Sequence, residues 1–366
     1  MNESPAIGDL VGNRYEIQEY IDEGGMQYVY KAQDRTLDRA VALKTPKINS
    51  ASKRFQRSAR TAAKVNHPNV AKTLDYFTEN DKQFLIEEFI DGLNLSKCLF
   101  KHFSLADPFL SAYILHHLAK GVRASHHAGV IHRDLKPSNI MVEGSYGFRE
   151  IKVTDFGIAK MAQEEIDEAV EGGDETITGS QTVLGALPYM APETIDKESP
   201  HKVDQAADIW SVGALLFELM TGTKPFGTGL NAAHKILSNN RAPFPAAIFA
   251  NKQFEFLNHQ IAKIVEICLK PDPTERPTAD QLVEECETLC YPEILREVST
   301  VRRRDYRYGF ISNPSFGQDI FFHKASVYGT SWSNIHVGDR VWFSRFLADP
   351  GERAHPVLKM NSDDQT

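Results

Sequence analysis

The chain has 366 residues, of which 42% are hydrophobic and 25% are charged. These values exclude a disordered, collagen-like or membrane-embedded chain and leave room for about two or three globular domains. The net charge of −8 argues against nucleic-acid binding by the whole surface. Residues 301–360 nevertheless carry nine Lys or Arg against five Asp or Glu, a balance of +4. We therefore expect the C-terminal part to present a different surface from the rest.

The four cysteines show no C-x-x-C spacing, and no basic-then-apolar leader opens the sequence. Cys268 and Cys286 lie on apolar faces with helical spacing, which favours core packing over metal binding. The longest mostly apolar run, residues 209–220, is shorter than the roughly 18–20 residues that a membrane span needs. We expect a cytoplasmic protein with reduced thiols and no membrane contact.

Short alternating runs separated by turn residues occupy residues 15–43, which predicts an antiparallel sheet. In residues 108–220 and 253–289 apolar residues recur every third and fourth position, which predicts helices. This order predicts an α+β arrangement of a small β-rich lobe and a larger helical lobe, with a ligand cleft between them. Residues 162–182 are rich in Asp and Glu, which indicates an acidic loop.

Four short motifs in the first 290 residues combine charged and amide side chains with turn residues. They are V-A-L-K at 41–44, H-R-D-L-K-P-S-N at 132–139, D-F-G at 155–157 and A-P-E at 191–193. The carboxylates of Asp134 and Asp155 and the amide of Asn139 fall on neighbouring loops. Such groups bind magnesium and transfer protons.

In order and spacing these motifs resemble the protein kinase family, specifically the bacterial eukaryotic-like (Hanks-type) Ser/Thr kinases. The resemblance implies a bilobal fold with a β-rich N-lobe and a helical C-lobe. It implies that Asp134 orients the substrate hydroxyl and that Lys136 faces the transferring phosphoryl group. It also implies that Lys44 holds the ATP phosphates, and that the substrates are proteins.

The same resemblance implies that Asn139 and Asp155 hold Mg²⁺. It further implies a buried Glu193–Arg276 ion pair and a brace on the catalytic loop from Asp208. The remaining nucleotide-binding residues would be Ile21, Gly24, Gly25, Val29, Ala42, Glu87, Glu88 and Ile90.

Four positions depart from the family pattern and bear on activity. The phosphate-binding loop has Asp22 and Gln27 where the family has its first and third glycines. The position of the family's αC glutamate falls on Ser58, so that Lys44 loses its usual partner. Ala186 stands where these kinases usually have a threonine that bonds near the catalytic Asp.

We hypothesise that Glu87, at the position before the hinge, replaces the missing glutamate beside Lys44. The alternatives are that Glu87 points to solvent or marks an inactive pocket. A pseudokinase scaffold, which displays or regulates the C-terminal module, is the rival to an active enzyme.

Thr178 and Ser180 lie shortly before Gly185, and family spacing makes them the expected phosphorylation sites. Phosphate adds about −1.5 to −2 charges, and Arg133 is the cation expected to receive it.

Alternation returns in the last 65 residues, a length that suits an all-β, OB-type, five-stranded barrel. The runs Y-R-Y-G-F-I at 306–311 and D-I-F-F-H-K at 319–324 interleave aromatic and basic residues on two of its strands. This stretch resembles a cold-shock domain. The resemblance implies contact with single-stranded RNA or DNA. The contacting residues would be Arg307, Tyr308, Phe310, Phe321, His323 and Lys324. The alternative is that these aromatics are core residues of a degenerate barrel used for docking.

The predicted organisation has five parts in chain order. These are an N-terminal tail (1–14), the kinase domain (15–290), a linker (291–296), the barrel (297–360) and a C-terminal tail (361–366).

Overall fold

The computed structural model describes residues 4–23, 27–47, 52–156, 181–196, 198–292, 295–313 and 317–361. Within these ranges the chain forms a β-rich N-lobe, a helical C-lobe and a β-barrel, in that order. The kinase-type bilobal fold followed by a barrel is therefore confirmed.

An antiparallel six-stranded sheet with the order β1-β2-β3-β4-β6-β5 forms the N-lobe, accompanied by helix α1. Its elements are β1 (Leu10–Val11), β2 (Tyr15–Glu23), β3 (Gln27–Asp34), β4 (Arg39–Pro46), α1 (Ser52–Ala62), β5 (Thr73–Glu79) and β6 (Lys82–Glu88). Strand β1 lies inside the stretch 1–14 that the sequence predicts as a tail. Val11 is buried in the same apolar cluster as Tyr15 and Ile17, which explains why these residues are ordered against the sheet.

The C-lobe is built from helices and a small three-stranded sheet. The helices are α2 (Pro108–His127), α3 (Gln181–Ala186), α4 (Pro192–Ile195), α5 (Ala206–Thr221), α6 (Gly229–Leu237), α7 (Ala247–Ala250), α8 (Glu255–Cys268) and α9 (Ala279–Glu287). The strands are β7 (Gly92–Asn94), β8 (Ile140–Glu143) and β9 (Glu150–Val153). None of the helices described is long and apolar enough to cross a membrane.

Cys268 and Cys286 are both buried in the C-lobe core, as their helical spacing predicts. Burial raises the pKa of the Cys286 thiol to about 12, so this thiol stays protonated at neutral pH. Both residues pack as small apolar side chains.

The C-terminal strands form a closed five-stranded barrel with one additional two-residue strand. Its strands are β10 (Glu297–Arg304), β11 (Tyr308–Ile311), β12 (Ile320–His323), β13 (Val327–Tyr328), β14 (Arg340–Leu347) and β15 (Glu352–Lys359). Pairing of β12 with β15 closes the barrel. The interior is filled by an apolar cluster that includes Ile311, Phe322 and Phe343.

One face of the barrel packs against the C-lobe through Trp342. Val341 and Phe343 point into the barrel, so Trp342 between them points outward, yet it is fully buried. Its ring centroid lies 4.7 Å from that of Phe103 and 5.4 Å from that of Phe148. The indole Nε1 donates a hydrogen bond of 2.9 Å to a backbone carbonyl, that of Tyr146.

A buried ion pair reinforces this contact. Arg296 Nη2 lies 2.5 Å from Asp107 Oδ2, and both side chains are fully buried. Asp107 also caps α2 by accepting backbone hydrogen bonds from Phe109 and Leu110. Arg296, just before the first strand of the barrel, is thus tied to the helix that leads towards the catalytic loop.

Candidate active site

The register of the N-lobe sheet places Lys44 and Glu87 on the same face. Ala42 on β4 lies directly opposite Glu87 on β6, and Lys44 is two residues further along β4. Residues two apart on a strand share a face, so Lys44 and Glu87 are diagonal neighbours across the two strands. Lys44 Nζ lies 2.6 Å from Glu87 Oε2, and both side chains are buried.

Lys44 also reaches Asp155, the first residue of the D-F-G motif. Lys44 Nζ lies 2.8 Å from Asp155 Oδ1. One cation therefore links a carboxylate of the N-lobe sheet to a carboxylate of the loop that follows β9. The alternative that Glu87 points to solvent is wrong, because only 6% of its side chain is exposed.

Burial and charge together set the ionisation of this cluster. Burial opposes the positive charge of Lys44, but the carboxylates of Asp155 and Glu87 outweigh it and raise the pKa of Lys44. Burial likewise opposes the negative charge of Asp155, but Lys44 holds the pKa of Asp155 below its usual value. Lys44 and Asp155 are both charged at neutral pH, as phosphate and metal binding require.

The positions that depart from the family pattern make specific contacts here. Gln27 Nε2 donates a hydrogen bond of 2.9 Å to Asp155 Oδ1. Ser58 on α1 is buried and donates from Oγ to the carbonyl oxygen of Phe156 at 2.8 Å. Asp22 is exposed and pairs with Lys97 at 2.9 Å, which neutralises the carboxylate that sequence reasoning placed against the phosphates.

The catalytic loop brings Asp134, Lys136 and Asn139 together. Lys136 Nζ lies 2.8 Å from Asp134 Oδ2, and Asn139 Nδ2 donates to the same oxygen at 2.9 Å. Because its nitrogen is used by Asp134, Asn139 presents its amide oxygen as the group available to a cation. Asp208 accepts hydrogen bonds from the backbone nitrogens of His132 and Arg133, at 2.9 and 2.8 Å, and so braces this loop as expected.

A second expected contact ties the A-P-E motif to the end of the C-lobe. Arg276 donates two hydrogen bonds to Glu193, at 2.7 and 2.9 Å, and both side chains are buried. Ala186, at the end of α3, is buried and carries no hydroxyl for a contact near Asp134.

A cavity of about 180 Å³ lies between the two lobes. The sequence-predicted residues that line it are Ile21, Val29, Ala42, Lys44, Glu87, Glu88, Ile90 and Asp155. Sequence reasoning missed the apolar lining residues Ala71, Leu93 and Met141, which lack a chemical signature, and polar ones such as Asn94, Lys97 and Thr154, which reach the cavity only through the fold. Gly24, Gly25, Thr178 and Ser180 lie outside the described residues.

Comparison with known proteins gives the family. A sequence model described as "Protein kinase domain" matches residues 15–286. The chain belongs to the protein kinase family.

Curated relatives are serine/threonine-protein kinases. The chain is 33% identical over 293 residues to a probable serine/threonine-protein kinase of Clostridium perfringens, covering 77% of this chain and 39% of the relative. It is 30% identical over 297 residues to PrkC of Bacillus subtilis, covering 80% and 43%. It is 32% identical over 285 residues to PknA of Mycobacterium tuberculosis, covering 75% and 60%. The chain thus spans less than two thirds of the length of these kinases.

Beyond the kinase domain, the barrel presents an aromatic face on the side that carries Tyr308, Phe310 and Phe321. The three ring centroids lie 5.8 to 5.9 Å from one another, and each ring is partly exposed. His323 is the last residue of β12, beside the rings, and is exposed. Its Nδ1 accepts a hydrogen bond from the backbone nitrogen of Ala325.

Arginines flank this aromatic face. The guanidinium of Arg303 lies 5.9 Å from the ring of Phe310, and that of Arg353 lies 5.6 Å from the ring of Phe321. Arg307 and Lys324 are exposed at the ends of β11 and β12. Sequence reasoning missed Arg353, because its proximity to Phe321 comes from the closing β12–β15 pairing.

Proposed function

We propose that the protein transfers the γ-phosphoryl group of ATP, with Mg²⁺, to Ser or Thr hydroxyls of protein substrates. The observation that carries the proposal is the buried link from Glu87 through Lys44 to Asp155. It supplies the charged Lys and Asp that phosphoryl transfer needs, although α1 has no glutamate. The relatives named as serine/threonine kinases support the same chemistry.

Each group has a physical task in this scheme. Asp134 accepts the hydrogen bond of the incoming hydroxyl and fixes its direction of attack. Lys136, 2.8 Å from Asp134, supplies positive charge where the transferring phosphoryl group passes. Lys44 holds the nucleotide phosphates in line with that hydroxyl.

The donor set fits Mg²⁺. Asp155 offers a carboxylate and Asn139 an amide oxygen, which are the hard ligands that this ion prefers, with phosphate oxygens expected to complete the set. When bound, Mg²⁺ neutralises charge on the phosphates. The protein's own contribution is to keep Asp155 ionised and oriented through Lys44 and Gln27.

The test uses the full chain with γ-labelled ATP and a generic basic protein substrate. We expect label on Ser or Thr, located by mass spectrometry, which disappears on adding a chelator and in Asp155→Ala. Equal labelling by the wild type and Asp155→Ala would instead support the scaffold interpretation.

We also propose that the aromatic face of the barrel binds single-stranded RNA or DNA. Three clustered rings offer stacking surfaces, and the flanking arginines offer charge for the phosphates. The C-lobe covers the barrel at Trp342, whereas the three rings of the aromatic face are partly exposed. Stacking of about 1 to 3 kcal/mol per base on three rings, less ordering costs, corresponds to micromolar affinity or weaker.

The test of this second proposal is a titration of the full chain with fluorescent homopolymers at low salt. Saturable binding by at least one homopolymer is expected. Absence of binding to every homopolymer would favour the docking interpretation of the barrel.

We propose Thr178 and Ser180 as the phosphorylation sites of the loop between Asp155 and Glu193. The seven acidic residues that lie nearby in the sequence are the alternative source of negative charge if this loop stays unmodified. Mass spectrometry of active protein should find phosphate there, and active protein with an unmodified loop would contradict the proposal.

A further inference from the structure

Ser58 occupies the helix position from which a glutamate would pair with Lys44, but its hydroxyl is used elsewhere. Serine in a helix commonly bonds back to a carbonyl of its own preceding turn. Here the 6%-exposed side chain donates instead to the carbonyl of Phe156, at 2.8 Å. The bond joins α1 to the D-F-G segment, 98 residues away in the chain.

That bond holds the backbone of Phe156, one residue after Asp155, and Asp155 itself has a left-handed backbone conformation. Asp155 has φ of 64°, a left-handed value that is uncommon outside glycine, although Asp and Asn adopt it more readily than other residues. Lys44 and Gln27 hold its side chain, at 2.8 and 2.9 Å. Ser58 acts on the backbone that follows, and the Phe156 ring packs beside His132 at 4.5 Å.

We infer that Ser58 is a positioning residue that sets the orientation of Asp155 towards the metal ion. The inference rests on the proposed function, in which Asp155 is a metal ligand. Glu87 on β6 supplies the negative charge that pairs with Lys44, so no residue of α1 has to supply it. The helix instead fixes Asp155 through a neutral hydrogen bond, and a change in α1 position reaches the metal site through Ser58 and Phe156.

The experiment measures Mn²⁺ binding by electron paramagnetic resonance on the full chain with a non-hydrolysable ATP analogue. Ser58→Ala should weaken Mn²⁺ binding by at least about fivefold, because a buried acceptor loses its donor. Binding of a fluorescent ATP analogue in EDTA should change less than about twofold, because Lys44 and Glu87 are untouched. Ser58→Thr, which keeps the hydroxyl, should restore much of the Mn²⁺ binding.

Thr61→Ala is the matched control, since Thr61 is on the same helix and donates only to the carbonyl of Arg57 among the described contacts. Hydrogen exchange gives a readout that needs no nucleotide. Ser58→Ala, and not Thr61→Ala, should speed amide exchange in the peptide containing Asp155 and Phe156.

Two results would overturn the inference. If Ser58→Ala binds Mn²⁺ as tightly as the wild type and exchanges at the same rate, Ser58 does not position Asp155. If the wild type transfers phosphate but Ser58→Ala and Thr61→Ala lose Mn²⁺ binding equally, any disturbance of α1 weakens Mn²⁺ binding and Ser58 has no specific role. If the wild type itself transfers no phosphate, that result contradicts the proposed function and not the role of Ser58.

Discussion

Glu87 and Lys44 form an ion pair of 2.6 Å across two hydrogen-bonded strands of one sheet. The carboxylate partner of Lys44 on the N-lobe sheet is therefore fixed by strand register, without any contribution from α1. Because β4 and β6 cannot separate without breaking the sheet, this pair is built into the folded N-lobe.

Replacing Glu87 by Met should lower the rate of phosphoryl transfer at least tenfold, about 1.4 kcal/mol in the transition state. The buried Lys44 cation would lose one of its two partners and would be held only by Asp155. Steady-state kinetics at saturating ATP measures the effect. Glu16→Met, which removes an exposed ion pair with Arg35 in the same lobe, is the control. A Glu87→Met enzyme as active as the wild type would contradict the role of the pair.

Trp342→Ala should lower the free energy of unfolding of the full chain by about 3 to 5 kcal/mol. The change leaves a cavity between the barrel and Phe103 and Phe148. Chemical denaturation measures the difference. Tyr306→Ala, at an aromatic that is 81% exposed, should stay within about 0.5 kcal/mol of the wild type. If Trp342→Ala and Tyr306→Ala have the same free energy of unfolding, the contact of Trp342 with the C-lobe does not stabilise the protein.

Stability should fall as the pH drops from about 6.5 towards 4, partly through His117. Burial, with a smaller contribution from Lys120, lowers the pKa of His117 to about 4. The unfolded chain therefore binds more protons than the folded one in that window, and the stabilisation is complete only above it. In the fold, the neutral Nδ1 accepts a hydrogen bond from Asn69 Nδ2 at 3.1 Å, which protonation would abolish.

His117→Gln, whose amide oxygen can accept the same bond, should reduce the loss of melting temperature between pH 7 and pH 5. His234→Gln, at an exposed histidine of α6, is the control. An unchanged pH dependence in His117→Gln would rule out this histidine as a source of the acid sensitivity.

For the barrel, Phe310→Ala with Phe321→Ala should weaken nucleic-acid binding while leaving its salt dependence unchanged, because stacking releases no counterions. Arg303→Ala with Arg307→Ala should instead flatten the slope of log affinity against log salt, by about 0.7 for each phosphate that is no longer bound. Fluorescence titrations at several salt concentrations separate the two. Phe256→Ala, at an exposed aromatic of the C-lobe, controls for non-specific stacking. Equal slopes in all variants would contradict phosphate binding by these arginines.

Much of the active site is predictable from the sequence because its motifs are short and local. Spacing alone places Asp134 and Asn139 on one loop, and the resemblance to the kinase family suggests that Glu87 faces Lys44, which the register of β4 and β6 then explains. The contacts of Gln27 and Ser58 with the D-F-G segment are not predictable in this way. They join residues about 100 or more positions apart, and only the closed lobes bring them within hydrogen-bonding distance.

The contacts of the barrel with the C-lobe are likewise not predictable from the sequence. The strands of the barrel follow from alternation, but Val341, Trp342 and Phe343 are all buried, which alternation alone does not predict. Trp342 is apolar on an outward position because a second domain covers it. Arg296, in the stretch predicted as a linker, is buried for the same reason, through its pair with Asp107.

The measurement that tests the central claim most directly is transfer of label from γ-labelled ATP with Mg²⁺, comparing the wild type with Asp134→Ala. Asp280→Ala, at an exposed aspartate of α9 that pairs with His127, is the matched control. We predict label on Ser or Thr with the wild type and Asp280→Ala, and a loss of at least about a hundredfold with Asp134→Ala. Equal labelling by all three proteins would contradict catalysis by this site.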